Sequence, residues 1–86
     1  MKEKQEKLNI RCYDDGKSID RYTVVYMDQP EAGYKHYNCV GMSAAPFHPQ
    51  GVGQHSIAKV GRHLGKRIKF EDLPEDCQKL VKRDLE

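Results

Sequence analysis

The chain has 86 residues, of which 37% are hydrophobic and 33% charged, and its formal net charge is +2. This length is typical of one small domain, and the apolar content is too high for a wholly disordered chain. No apolar run approaches the ~20 residues that cross a bilayer, so composition argues against a membrane protein.

The first seven residues alternate Lys, Glu and Gln with no apolar core behind them. This pattern predicts a flexible tail over 1–7 and not a secretory signal, with a single domain over 8–86. Three cysteines, an odd number without C-x-x-C spacing, predict reduced and buried thiols: Cys12, Cys39 and Cys77. We therefore expect a cytoplasmic protein.

Alternation of apolar residues at period two predicts three strands in the first half of the chain. The first covers 8–13, and a turn at 14–17 joins it in a hairpin to the second, at 19–27. A Pro/Gly loop at 28–33 then leads to a third strand at 34–42. The second strand is apolar on both faces, which predicts a central position in the sheet. Its two faces carry Ile19, Thr23, Val25 and Met27 on one side and Tyr22, Val24 and Tyr26 on the other.

The second half of the chain is less regular. Neither period fits between 43 and 61, which predicts a long irregular loop. A short strand follows at 67–70, and Pro74 opens a helix whose apolar stripe is Cys77, Leu80, Val81 and Leu85. The predicted fold is α+β: a small, mostly antiparallel sheet of about four strands, a long irregular loop, and one C-terminal helix packed on the sheet.

Segment 41–56 contains no Asp, Glu, Lys or Arg, although one-third of the chain is charged. Irregular loops of this length are usually functional or disordered, and the apolar side chains of this one disfavour disorder. Glycine backbone and neutral polar groups suit ligand binding. The candidate residues are Ser43, His48, Gln50, Gly51, Gly53, Gln54 and His55. The alternative is a self-packed loop whose glycines serve only its turns.

Segment 59–69 follows with five formal positive charges and no acid. Such a run attracts phosphate, and its candidate binding residues are Arg62, His63, Lys66 and Arg67. The alternative is a solvated edge strand whose lysines block edge-to-edge pairing. The acids that follow at 71–76 are near enough in sequence to neutralise the run.

Recognised catalytic and metal motifs are not matched. Segment 61–67 is one residue short of a phosphate-binding loop and ends in Arg where that motif has Ser or Thr. His48, His55 and His63 are spaced too widely for a zinc finger, although folding can assemble three histidines. We predict no catalytic residue, no metal site and no cofactor. A sheet face left uncovered by the single helix is expected to form a small core or a homodimer interface rather than a base-stacking surface.

Several segments resemble small hypothetical proteins encoded by phages, prophages and mobile elements. These are R-C-Y-D-D-G at 11–16, D-R-Y-T-V-V at 20–25, G-M-S at 41–43, P-F-H-P-Q-G at 46–51, G-Q-H at 53–55, G-R-H-L-G-K at 61–66 and L-P-E-D-C at 73–77. The resemblance covers almost the whole chain. It implies an accessory role, either in interfering with host defence or in handling nucleic acid or nucleotides, and carries over no functional residue.

The leading hypothesis is therefore a non-enzymatic binding protein of phage or mobile-element type, present in the cytoplasm of an infected host. It would bind a nucleotide or nucleic-acid phosphate between segment 41–56, which we call the neutral loop, and segment 59–69, which we call the basic segment. The protein would be a monomer or homodimer. The second hypothesis is a module that binds a host protein, and the third is a small metal- or thiol-dependent enzyme.

Overall fold

The computed structural model describes residues 9–16, 19–30 and 36–86. These residues form an antiparallel sheet with the strand order β4-β3-β2-β1-β5 and one C-terminal helix. The predicted α+β class is confirmed, with five strands rather than four, and β2 is the central strand as expected. The elements are β1 Ile10–Asp14, β2 Tyr22–Pro30, β3 His36–Met42, β4 Gly53–Lys59, β5 Lys66–Ile68 and α1 Glu75–Asp84.

The main core lies between α1 and one face of the sheet. Period-two alternation and the strand registers bring Val24 of β2 between Cys12 of β1 and Val40 of β3 on this face. The helix buries the predicted stripe of Cys77, Leu80 and Val81 against them. Tyr22 and Tyr26 belong to the same core and are therefore not free for base stacking.

A second, smaller core covers the opposite face of the sheet. Because β4 and β5 are the two edges of the described sheet, the segment 60–65 between them has to cross its full width. Val60 and Leu64 of this segment pack against Tyr13, Val25 and Cys39. Of the two alternatives expected for the face away from the helix, a small core or a homodimer interface, the structure has the small core, formed by residues of the same chain.

Several boundaries differ from the sequence prediction. The loop predicted over 43–61 contains β4, which was missed because most of its positions are exposed and give no apolar alternation. β2 continues to Pro30, where pairing with Tyr37 follows an irregular register, so the loop predicted at 28–33 begins later. Two residues that the sequence pattern placed on apolar faces lie outside the core instead. Ile19 precedes β2 and is 78% exposed, and Leu85 follows the helix and is 39% exposed.

Some predictions fall outside the described residues, namely the tail at 1–7, Leu8, parts of the two early loops, and residues 34 and 35 of the predicted third strand. Phe70 lies in a 3₁₀ turn, Phe70–Asp72, and not in a strand, although it still packs on the main core with Ile68. None of the described helices has the length and apolar character needed to span a bilayer. The three cysteines are buried and free, as predicted.

Gly65 is the residue at which the crossing segment enters β5. Its φ of 119° and ψ of −165° lie in a region almost confined to glycine. A Cβ there would also approach the Asp14 backbone to 2.7 Å. Two independent constraints therefore require glycine at this position.

We expect Gly65→Ala to lower the free energy of unfolding by about 3 kcal/mol or more, because backbone strain and steric overlap add. Gly16→Ala is the matched control, since Gly16 also has positive φ, at 73°, but its Cβ would meet nothing within 4 Å. That control should cost only about 1 kcal/mol. Urea denaturation measures both, and equal losses would contradict the close approach to Asp14.

Candidate functional site

A cleft of about 630 Å³ opens on the face of the sheet away from α1, beside β1 and β5. It is lined by Arg11, Tyr13, Val60, Gly61, Arg62, Gly65, Lys66 and Arg67. Four of these eight residues are cationic and none is acidic. We call this feature the basic cleft.

Local structure brings the charges of the basic cleft together. Val60 and Leu64 anchor the crossing segment on the sheet, and the 3₁₀ turn Arg62–Leu64 between them leaves Arg62 exposed. The turn is closed by hydrogen bonds from Leu64 N to the Gly61 carbonyl (3.2 Å) and from Gly65 N to the Arg62 carbonyl (3.0 Å).

The two strands beside the cleft supply the remaining charges. β1 pairs with β5 so that Tyr13 lies opposite Arg67. Arg11, two residues before Tyr13 on β1, lies on that same face by alternation. Lys66, which begins β5, lies directly opposite Asp14 in the register.

The acid nearest to this cleft in the register has a partner of its own. The guanidinium of Arg21 binds both carboxylate oxygens of Asp14, at 2.6 Å from Nε to Oδ1 and 3.0 Å from Nη2 to Oδ2. This bidentate contact lowers the pKa of Asp14 below its ordinary value. The Asp14 charge is thus balanced by Arg21, and within the described residues no ion pair neutralises the cations of the basic cleft.

The residues predicted from the neutral loop lie elsewhere. Ser43 N donates to the Val52 carbonyl (2.8 Å), and the Ser43 hydroxyl accepts from Val52 N (3.0 Å), so the loop is closed at its base. His48 Nδ1 accepts from Gln50 N at 3.1 Å. A Cβ on Gly51 would overlap the Ala45 carbonyl, so this glycine serves close packing inside the loop. These contacts match the alternative of a self-packed loop.

The remaining candidates of segment 41–56 lie on β4, at the edge of the sheet opposite β5. Gly53 packs close to Leu80 of α1, and Gln54 lines a small hollow of about 180 Å³ on the other face. His55 contacts Asp84. The structure therefore brings Arg62, Lys66 and Arg67 into one cleft but places the neutral-loop candidates outside it. His63 is exposed on the 3₁₀ turn and does not line the cleft.

A second polar cluster, which sequence reasoning missed, joins the end of α1 to the sheet. Asp84 Oδ2 accepts a hydrogen bond from the Tyr26 hydroxyl at 2.6 Å and lies 2.7 Å from His55 Nε2. Burial and the neighbouring Asp84 carboxylate raise the pKa of Tyr26. These side chains border a hollow of about 280 Å³ that also includes Gln29 and Asn38. The contacts fix the C-terminal end of α1 on β2 and β4.

The described residues show no group of three His, Cys, Asp or Glu side chains in a metal-binding arrangement. Burial raises the pKa of Cys12 and of Cys77 to about 11 each. Both thiols are therefore protonated at neutral pH, and a protonated thiol is a weak nucleophile. Cys39 lies with its Sγ 3.3 Å from the Ser56 hydroxyl.

Comparison of the chain with protein-family models, with curated proteins and with solved structures finds no match. Arg11 is the member of the basic cleft that the sequence did not suggest. Its alternation with Tyr13 indicates the face it occupies, but only the non-local pairing of β1 with β5 brings it beside Arg67.

Three buried protonated groups predict loss of stability at alkaline pH. Cys12, Cys77 and Tyr26 all have a raised pKa in the folded chain. The unfolded chain releases these protons above pH about 8.5 for Cys and about 10 for Tyr. The contribution of the two thiols is therefore fully present below pH about 8.5 and is lost as the pH rises toward 11, whereas that of Tyr26 is fully present below pH about 10 and begins to be lost only above it.

We expect the free energy of unfolding to fall by up to about 1.4 kcal/mol per pH unit for each titrating group. Urea denaturation at a series of pH values between about 7 and 11 measures this slope. Cys77→Ala should make the slope shallower by the contribution of one group, whatever its effect on stability at neutral pH. An unchanged slope in this variant would contradict the assignment.

Proposed function

We propose that this protein is a non-enzymatic binding protein that holds a nucleotide or nucleic-acid phosphate in the basic cleft. The observation that carries the proposal is the convergence of Arg11, Arg62, Lys66 and Arg67 on one cleft whose lining includes no acid. A cleft lined by charge of one sign focuses its field on an approaching counter-ion. The site is thus narrower than the one expected from sequence, since segment 41–56 does not take part.

The chemistry of the lining favours phosphate over a simple carboxylate or halide. Three of the four cations are arginines, whose planar guanidinium groups bind phosphate oxygens in pairs. Gly61 and Gly65 border the same cleft without side chains that would restrict the approach of a ligand. Together they suit an anion with several oxygens.

The biological setting of this binding is also a proposal. The resemblance to small phage and mobile-element proteins suggests an accessory role in the cytoplasm of the infected host. Such a protein meets nucleotides and nucleic acid there at high concentration. Binding through charge alone would act on any phosphate-bearing ligand within reach, as expected for non-specific contacts.

A second candidate function, binding a host protein, is favoured by β4, which is an edge of the sheet formed by the described residues. Six of its seven residues are uncharged, most are exposed, and Ile57 is 48% exposed. Natural sheets usually protect such an edge, and an extended peptide can pair with it. Association through this edge would involve backbone hydrogen bonds and depend little on salt.

Charge reversal separates these two functions. We expect the double variant Arg62→Glu/Lys66→Glu to lose binding to ATP and to a labelled oligonucleotide, because both substitutions replace attraction by repulsion inside the cleft. Isothermal titration with ATP and fluorescence anisotropy with the oligonucleotide measure the affinities. Wild-type affinity should fall steeply with rising salt.

Lys59→Glu is the matched control for each charge change. Lys59 belongs to the same basic run in the sequence, but it lies at the end of β4, opposite His36 of β3, and does not line the cleft. It should retain most of the binding. If the wild-type protein binds neither probe, or if Lys59→Glu is as damaging as the double variant, the basic cleft is not the site.

A further inference from the structure

The cationic surface does not end at the basic cleft. A second hollow of about 560 Å³ opens on the α1 face beside β5, and Lys66 and Arg67 line both this hollow and the basic cleft. Lys69 lines the second hollow only. Strand β5 therefore forms a ridge with cations on both of its sides, and we call it the β5 ridge.

The β5 ridge is an edge of the described sheet, since β5 pairs only with β1. From Lys66 to Lys69 the chain advances by roughly 10 Å at the rise of an extended strand. Phosphates of one nucleic-acid strand advance about 3.4 Å each along the helix axis. The ridge is thus long enough to face two or three consecutive phosphates of one nucleic-acid backbone.

Among the described residues, no fully exposed aromatic ring lines either hollow. Tyr13 is the aromatic residue lining the basic cleft, and it is only 5% exposed. Phe70, in the second hollow, is packed against the main core. Proteins that grip single strands rely on exposed aromatic rings as well as charge, so this ridge is suited to the phosphate backbone and not to bases.

A ridge with cations on both sides matches a groove with phosphates on both sides. The major groove of duplex DNA is about 12 Å wide and is bordered by two phosphate backbones. A single strand presents one line of phosphates and would engage only one side of the ridge. Glu71 and Asp72 also line the second hollow, and the Asp72 carboxylate accepts a hydrogen bond from Lys69 N at 3.1 Å, so the cations on this side of the ridge are Lys66, Arg67 and Lys69 alone.

We infer that the β5 ridge binds duplex nucleic acid by facing a groove, with Arg11 and Arg62 on one side and Lys69 on the other contacting the two backbones. This inference rests on the proposed function and deepens it, because it names a duplex as the ligand. Contacts to the backbone alone make the binding independent of base sequence.

The test compares three probes and three single variants of the full chain. The probes are ATP, a labelled DNA duplex of two helical turns, and one labelled strand of that duplex. The variants are Arg62→Gln in the basic cleft, Lys69→Gln across the ridge, and Lys59→Gln as control. Each affinity is measured by anisotropy or titration calorimetry over a salt series.

The wild type is expected to bind the duplex more tightly than the single strand. Arg62→Gln and Lys69→Gln should each weaken duplex binding by about eightfold at 0.1 M salt and reduce the magnitude of the salt slope by about 0.9, the value for one lost phosphate contact. Lys59→Gln should leave the slope unchanged. Lys69→Gln should not affect ATP binding.

The outcomes separate the two proposals. If ATP or the single strand binds as tightly as the duplex and Lys69→Gln has no effect on any probe, the duplex inference is overturned while the basic cleft stands. If none of the three probes binds in a salt-dependent way, the proposed function falls as well. Circular dichroism of the variants confirms that the exposed substitutions leave the fold intact.

Discussion

The segment that crosses the sheet between β4 and β5 is the constraint on which the rest of the structure depends. Val60 and Leu64 hold it against Tyr13, Val25 and Cys39, and it thereby closes the face of the sheet that α1 leaves open. Gly65 then allows the chain to pass directly over the Asp14 backbone into β5. Segment 60–65 thus completes the second core, connects β4 to β5 at the opposite edge of the sheet, and sets the position of Arg62.

The two faces of the sheet are closed by different means. On one face, apolar packing of α1 is supplemented by the contacts of Asp84 with Tyr26 and His55, which hold the end of the helix. On the other face a short irregular segment suffices, because only a few side chains need to be covered. The neutral loop serves this framework too, since its closing residue Ser43 accepts a hydrogen bond from the Cys77 thiol at 3.2 Å.

Much of this fold could be predicted from local patterns, because each pattern reports burial. The alternation of Tyr22, Val24 and Tyr26 indicated β2, and the spacing of Cys77, Leu80 and Val81 indicated α1. β4 escaped prediction because an exposed edge strand places few side chains in the core. The candidate site was predicted only in its basic part, since the approach of Arg11 to Arg67 depends on pairing between distant strands. Segment 41–56 lacks charged side chains, and in the structure its first part forms hydrogen bonds and close contacts within the loop.

Separation of charge in space explains how a chain with a net charge of only +2 forms a strongly cationic site. In the sequence, four acids follow the basic run immediately, at 71, 72, 75 and 76. The 3₁₀ turn Phe70–Asp72 redirects the chain, and α1 then begins at Glu75 on the opposite face of the sheet from the basic cleft. The sheet therefore stands between these acids and Arg62. A uniform mixture of the same residues would have little field, whereas this fold keeps the acids out of the lining of the basic cleft and places Glu71 and Asp72 in the hollow on the α1 face of β5.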